Sequence, residues 1–430
     1  MAENKDDMSL EDIIAESMRK KKERETQQNP SERPAAETVP ENTAKASGTV
    51  TRPEKPAEKK SDKKDITKQP EKQKKPKKKS SKKKKIIIAL VIIILIILLL
   101  LGGAFAVVMH YINKINIVDD NNSYEIADSI EPDDDVTSKP DSPQEDIDAL
   151  NEKVRKNLEN QAIDIMSDKD VYNVLLIGTD ARDKNSRGRS DSMILVSINK
   201  KNHKIIMTSF MRDIYLAIPG VESTRLNHSY AYGGAPLLIQ TLQDNFKIKI
   251  DKYVQVNFYS FIELIDSVGG VEINVTDEEV SVLNSYISEI NKLEGRPTDQ
   301  DKLEKGGTYK LNGVQALGYS RIRYVGNADF QRTERQRTVL EKVIENMSDL
   351  GLSELSDMLD IILPEVTTNI QKGEMISLIL NSTEYFGYDR EQCRVPEDGS
   401  WQYLTIRGMS VLGVDFDKNI SYLKEKIYGN

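Results

Sequence analysis

The sequence predicts an α/β sandwich, a central mixed sheet covered by helices, standing outside the cytoplasm behind a single transmembrane helix. Three observations predict it. Residues Ile86–Met109 form an uncharged apolar run, net charge reverses across that run, and from Val171 onward short Val/Ile-rich segments alternate with stretches of helical spacing and Gly-containing turns.

The apolar run is 24 residues long. As a helix it spans about 36 Å, enough to cross a hydrocarbon core of about 30 Å with some tilt. A secretory signal peptide is the competing reading, but its apolar region is shorter and lies nearer the N-terminus. Residues 1–85 carry 25 Lys+Arg against 16 Asp+Glu, net +9, which leaves 36 against 53, net −17, for the rest of the chain. Nine lysines between Lys74 and Lys85 abut the run. Lys and Arg stay on the cytoplasmic side, so this flank keeps the N-terminus inside and exports the residues that follow. A basic run also suits nucleic acid, but beside an apolar span a topology signal that leans on anionic lipid is the better account, and no nucleic-acid partner is expected.

Residues 1–85 are rich in Lys, Glu, Pro, Ser and Thr and poor in aromatics, so they are expected to be a disordered cytoplasmic tail, with at most a transient helix at Leu10–Lys22. Residues 110–168 read as an acidic linker, and the Ser- and Pro-containing stretch Asp119–Asp146 as a solvated spacer that holds the next domain off the membrane. That domain is expected to fill 169–430, with its motif core at 172–345. Cys393 is the only cysteine, so no intramolecular disulfide forms, and it is expected to be a small buried hydrophobe.

Within the domain, Val171–Gly178, Ser192–Asn199 and Lys204–Phe210 read as central strands, and Tyr253–Asn257 and Val271–Val275 as two more. Pro236–Phe246, Phe258–Val268 and Val314–Arg321 have helical spacing. Ser281–Lys305 reads as a largely polar insertion. The part beyond Arg332 is expected to be rich in helix, with a late strand at Trp401–Arg407.

Polar clusters interrupt these elements. Asp180 and Arg182 follow the first strand, and Arg189 and Asp191 precede the second. Loops at strand ends are where α/β folds build sites, and two carboxylates there suit a divalent cation, Mg²⁺ or Mn²⁺. Simple turn pairing of Asp180 and Asp191 with Arg182 and Arg189 is the plainer account. Arg212-Asp213 follows the third strand and alone reads as a local ion pair. The third cluster holds Arg321, Arg323, Asp329, Arg332, Arg335, Gln336 and Arg337. An acidic domain that concentrates arginine in one segment points to an anion, because the guanidinium fork fits phosphate oxygens; the alternative is a solvated helix face paired with Glu334 and Glu341. Carboxylates for a metal with arginines for phosphate suit phosphoryl chemistry. No Gly-rich phosphate loop with a following Lys is present, and His110, His203 and His228 lack metal-ligand spacing; His228 either lines the site or is a hydrogen-bonded structural histidine.

The stretches NVLLIGTDAR, RSDSMILVSIN, SFMRDIYLAIPG, TRLNHSYAYGG, VNFYSFIELIDSVGGVEI, LNGVQALGYSRIRY and DFQRTERQR occur in that order, and together they resemble the LytR-CpsA-Psr family of cell-wall enzymes. The resemblance covers roughly Tyr172–Arg337 and continues more weakly to the end. It implies transfer of an anionic glycopolymer, such as teichoic acid or capsule, from an undecaprenyl pyrophosphate carrier to a hydroxyl of peptidoglycan through a phosphodiester. By the family pattern Asp180 and Asp191 would hold Mg²⁺ at the pyrophosphate. Arg182, Arg321, Arg323, Arg332, Arg335 and Gln336 would bind its oxygens, with Arg212 and Arg323 stabilising charge in the reaction. Asp213 or Asp329 would orient the arginines or accept the hydroxyl proton. The apolar elements, Phe258–Val268 among them, would enclose the polyprenyl chain. A polyprenyl-pyrophosphate phosphatase and an envelope-linked transcriptional attenuator remain the alternative functions.

Overall fold

The computed structural model describes residues 102–119, 124–131, 136–160, 164–181, 187–323, 325 and 328–429, the side chains of residues 328 and 329 excepted. The tail 1–85 and the apolar run up to residue 101 lie outside the described residues. Among the described residues no helix is long and apolar enough to cross a membrane.

The chain is helical over residues 102–112 and then enters strand β1 (Asn116–Ile117). Helix α1 (Gln144–Glu159) precedes three strands, β2 (Val171–Thr179), β3 (Ser190–Asn199) and β4 (Lys204–Phe210). Short β5 (Tyr215–Leu216) and β6 (Thr224–Arg225) lead into α2 (Leu226–Phe246) and β7 (Lys252–Asn257). A helical lobe follows, with α3 (Phe258–Ser267), β8 (Val271–Val275), α4 (Asp277–Leu293), β9 (Gly307–Leu311), α5 (Gly313–Arg321), α6 (Ala328–Asp349) and α7 (Leu352–Ile362). The chain closes through β10 (Thr367–Thr368), α8 (Lys372–Phe386), β11 (Asp389–Val395), β12 (Trp401–Ile406), β13 (Met409–Val414) and α9 (Phe416–Leu423).

Seven strands form the central sheet in the order β1-β10-β7-β2-β3-β4-β11. It is mixed: β2 runs parallel to β7 and antiparallel to β3, and β11 runs parallel to β4. Side chains alternate across a strand, and β2 is apolar on both faces, as a central strand must be. Val171, Leu175 and Ile177 join the main core with α2 and α9. Val174, flanked by Tyr172 and Leu176, faces Ile112, Ile370 and Met375 on the other side. A second core ties α3 to α7 around Ile265, Leu283, Ile287 and Leu317.

Several expectations are corrected. The stretch Ser281–Lys305 is not the largely polar segment expected: its first half lies in α4, whose Leu283, Tyr286, Ile287 and Ile290 are buried at helical spacing. The helix expected from Pro236 begins ten residues earlier, at Leu226, and breaks at Gly234 (φ 68°), so that Pro236 stands in the first turn after the break. Strand β11 was not expected, because DREQCRV reads as a charged run; it lies at the sheet edge, where charged side chains are tolerated, and buries Cys393 and Val395. The late strand has a partner, β13, joined by a two-residue turn in which Arg407 (φ 53°) and Gly408 (φ 73°) are both left-handed. The segment expected as a free linker is bound to the domain. Residue 127 bonds to Tyr232, residues 137 and 142 bond to the β12–β13 hairpin, and α1 buries Ile147, Leu150 and Val154. Acidic side chains do not stop the backbone from pairing, which is why composition misread this segment.

Candidate active site at the strand ends

Asp191 is placed by an irregularity in the β2–β3 ladder. Gly178 pairs with Ser192 and Thr179 with Ser190, so Asp191 is the extra residue of a bulge. A bulge re-aims a side chain, and this one turns Asp191 toward the segment after β4. There Arg212 donates from Nη1 to Asp191 Oδ1 at 2.5 Å. Asp180, one residue beyond β2, accepts the backbone N–H of Arg189 on Oδ1 at 2.5 Å.

The two carboxylates are shifted in opposite directions. Burial, and then the charge of Asp191, push the Asp180 carboxyl up from its ordinary value. Burial would raise Asp191 as well, but the guanidinium groups of Arg212, Arg332 and Arg321 outweigh it and hold Asp191 down at about 2. Two carboxylates that press on one another electrostatically, each with one oxygen in a hydrogen bond, fit a Mg²⁺ ion that completes its shell with water and substrate phosphate. Among the described residues no group of three or more His, Cys, Asp or Glu gathers.

Asp213 sits at the centre of the arginines. Its Oδ1 lies 3.6 Å from Arg212 Nε and 3.4 Å from Arg225 Nε, and its Oδ2 lies 3.5 Å from Arg323 Nη2. A carboxylate faced by three guanidinium groups is placed to aim them, the orienting half of the role expected for it. Arg225 was missed by sequence reasoning. It is almost fully buried and fixed by Ser410 O, which accepts from its Nε at 3.1 Å and Nη2 at 2.8 Å. Nothing local marked it: in ESTRLNHS most of its neighbours are polar, and only the fold supplies the partners that bury it.

The arginine segment divides into two functions. Arg321, at the end of α5, stacks over Phe258 (5.3 Å) and Tyr286 (4.8 Å) and meets Glu289 Oε1 at 3.2 Å. It lines one wall of a small apolar surface cleft with Phe258, Tyr259, Ile262, Leu293 and Leu317. Arg323 faces Asp213, and Arg332, buried on α6, acts on Asp191. Gln336 Nε2 approaches Asp191 O at 3.5 Å. Arg335 is turned elsewhere, contrary to its expected place at the pyrophosphate. Its Nε donates to Glu279 Oε1 at 2.9 Å, Nη1 to Ile322 O at 3.0 Å and Nη2 to Val325 O at 3.4 Å. It thereby satisfies carbonyls just past the C-terminus of α5, where a cation is favoured, and it fixes the loop that bears Arg323. Arg337 points to the sheet, bonding Gln392 Oε1 and Ser209 Oγ, both at 2.7 Å. His228 is buried, with Nδ1 3.0 Å from Thr224 Oγ1. Arg182 and the side chain of Asp329 lie outside the described residues.

Comparison with known proteins identifies the family. The LytR_cpsA_psr family model matches residues 138–424. Biofilm regulatory protein A of Streptococcus mutans serotype c is 38% identical over 221 residues, which cover 48% of this chain and 52% of that protein, so the chain spans about half the length of this relative. The polyisoprenyl-teichoic acid–peptidoglycan teichoic acid transferase TagU of Enterococcus faecalis is 32% identical over 227 residues, covering 52% of this chain and 69% of that one. A crystal structure of protein gbs0355 from Streptococcus agalactiae superposes with a TM-score of 0.50 at 28% identity, covering 60% of this chain and 87% of that chain. With two thirds of its length matched by the family model and the expected mixed sheet in place, the chain belongs to the LytR-CpsA-Psr family.

Proposed function

We propose that this protein transfers an anionic glycopolymer from a polyprenyl pyrophosphate carrier to a hydroxyl group of peptidoglycan, and that Ile86–Met109 anchors it in the membrane with the domain outside the cytoplasm. The observation that carries the reading is the meeting of two interacting carboxylates, Asp180 and Asp191, with Arg212, Arg323 and Arg332 beside an apolar cleft. A pyrophosphate with a long apolar tail needs these three things: charge neutralisation, rigid oxygen-binding forks and an apolar wall. The name of the Enterococcus faecalis relative, a teichoic acid transferase, supports the same class of reaction.

In the transfer, the acceptor hydroxyl oxygen bonds to the phosphorus next to the sugar, the bridging P–O bond breaks, and polyprenyl monophosphate leaves. The hydroxyl proton passes to a base, for which Asp213 and Asp329 are the candidates. Arg212 and Arg323 are held around Asp213 so that their remaining N–H groups meet the pyrophosphate oxygens as charge builds on them. Arg321, already stacked on Phe258 and Tyr286, binds where the polar head meets the tail. Asp180 and Asp191 would hold Mg²⁺, which supplies charge neutralisation at the pyrophosphate when bound.

The test is transfer of a labelled lipid-pyrophosphate glycan to peptidoglycan oligomers by the full chain in proteoliposomes, with Mg²⁺ and with chelator. Attached product that requires Mg²⁺ is expected. Released phosphoglycan with no attachment would favour a phosphatase, and tight lipid binding without turnover would favour the regulatory role that the name of the Streptococcus mutans relative suggests. Asp191→Ala is expected to lose the response to Mg²⁺ while the domain stays folded, as read by a Mg²⁺ titration alongside a thermal melt; a metal response unchanged from the parent would remove Asp191 from the metal site.

A further inference from the structure

The helix over residues 102–112 continues the apolar run Ile86–Met109 and is docked on the domain. Its contacts form a ladder. Lys114 Nζ meets Asp360 Oδ1 at 2.7 Å, and one turn earlier Tyr111 OH meets Ser356 Oγ at 2.7 Å, so going backward along this segment tracks α7 toward its start at Leu352. On the other side Lys372 Nζ donates to Asn113 Oδ1 at 2.7 Å, while Val108, Met109 and Ile112 cluster with Met375, Ile376 and Leu378, so the same backward path tracks α8 toward its end.

Extended by one turn, these two tracks lead back to Phe105 and Val107 on this helix and on to Leu352 at the start of α7 and Ile379 and Leu380 on α8. All five are exposed, Leu352 at 89% and Leu380 at 75%. Apolar side chains this exposed on three adjoining elements mark a surface that something covers. The turn between β3 and β4 reaches the same end of the molecule, for Lys200 Nζ lies 5.9 Å from the Tyr385 ring, and Lys200 and Lys201 are exposed there. An apolar patch with adjoining lysines matches the boundary of a bilayer with anionic headgroups.

The geometry points to this patch as a membrane seat: the ends of α7 and α8 dip into the outer leaflet beside the emerging span, so that the domain rests on the bilayer instead of standing off it. The inference rests on the proposal that residues 86–109 cross the membrane. The occupant is lipid because the chain itself enters the apolar phase at this point. The seat lies at the end of α6 remote from the arginines, about 26 Å along the helix from Arg332 to Asp349. The carboxylates and arginines are thereby left on the aqueous side, where a wall acceptor is.

The test places a bimane label on single-cysteine variants of the full chain in a Cys393→Ala background, reconstituted in vesicles of phosphatidylcholine and phosphatidylglycerol. Positions are Leu352→Cys and Leu380→Cys in the seat, Tyr403→Cys on the hairpin beside the site, and Leu95→Cys in the apolar run. Doxyl-lipid is expected to quench labels at 352, 380 and 95 several-fold more than iodide does, with the reverse at 403. Iodide quenching at 352 and 380 with lipid quenching at 95 would leave the span in place and overturn the seat. Protection of 352 and 380 from both quenchers would mean that a second copy covers the patch and would also overturn it. Iodide quenching at 95 would refute the span itself and the seat with it.

Discussion

Lysine in place of Arg212 is expected to lower glycan transfer by about 10²- to 10³-fold, the loss typical when one preorganised donor to developing charge is removed. The reason is geometric. Arg212 is nearly buried, gives Nη1 to Asp191 at 2.5 Å and turns Nε toward Asp213 at 3.6 Å. A guanidinium spans both carboxylates in one plane and still presents N–H groups to a phosphate, whereas an ammonium is a point charge that serves one partner at a time. Charge is conserved in Arg212→Lys, so Asp191 keeps a cationic neighbour and the fold keeps its ion pair. The melting temperature is therefore expected to move by only a few degrees, the response to about 1 kcal/mol in a domain of this size. Steady-state kinetics beside a thermal melt read both quantities. Transfer within a few-fold of the parent would show that Arg212 serves Asp191 alone, and a collapse of the melt in step with activity would make it structural.

The strand-end carboxylates were legible in the sequence because their environment is local. Asp180 and Asp191 flank apolar strands that form a hairpin, and a ladder between neighbours needs no knowledge of the rest of the chain. The sheet centre was readable for the same reason. What could not be read depends on distant partners. Arg335 and Arg332 lie one turn apart on α6, share charge and residue type, and differ in what each meets. Arg335 meets Glu279, 56 positions earlier, and nothing in the local pattern distinguishes it from an anion-binding neighbour. Arg225 belongs to the site through Asp213 and Ser410, a backbone carbonyl 185 positions later. The acidic segment before α1 was misread for a related cause: its order comes from backbone bonds to the hairpin and not from its side chains. Helix α4 is the exception, since its apolar spacing was present and was masked by intervening polar residues.

Arg335→Leu is expected to destabilise the domain by about 3–5 kcal/mol, the cost of leaving a buried charge without its partner. The stranded group is Glu279, which is 3% exposed and has Arg335 Nη2 at 2.7 Å from its Oε1. Glu279 has a second task. Its Oε2 accepts the Thr276 backbone N–H at 2.8 Å in the capping box that starts α4. Glutamine preserves that cap and carries no charge, so Glu279→Gln added to Arg335→Leu removes the stranded anion while keeping the helix start. The double variant is therefore expected to be more stable than Arg335→Leu alone, and denaturant unfolding of the parent, both single variants and the double variant closes the cycle. Transfer stays impaired in the double variant, because the carbonyls of Ile322 and Val325 have lost the guanidinium that fixes the loop bearing Arg323. The impairment appears in kcat, through a mispositioned Arg323, with lipid affinity largely kept. Full stability in Arg335→Leu together with lost lipid-pyrophosphate binding would reverse the assignment and return Arg335 to the substrate.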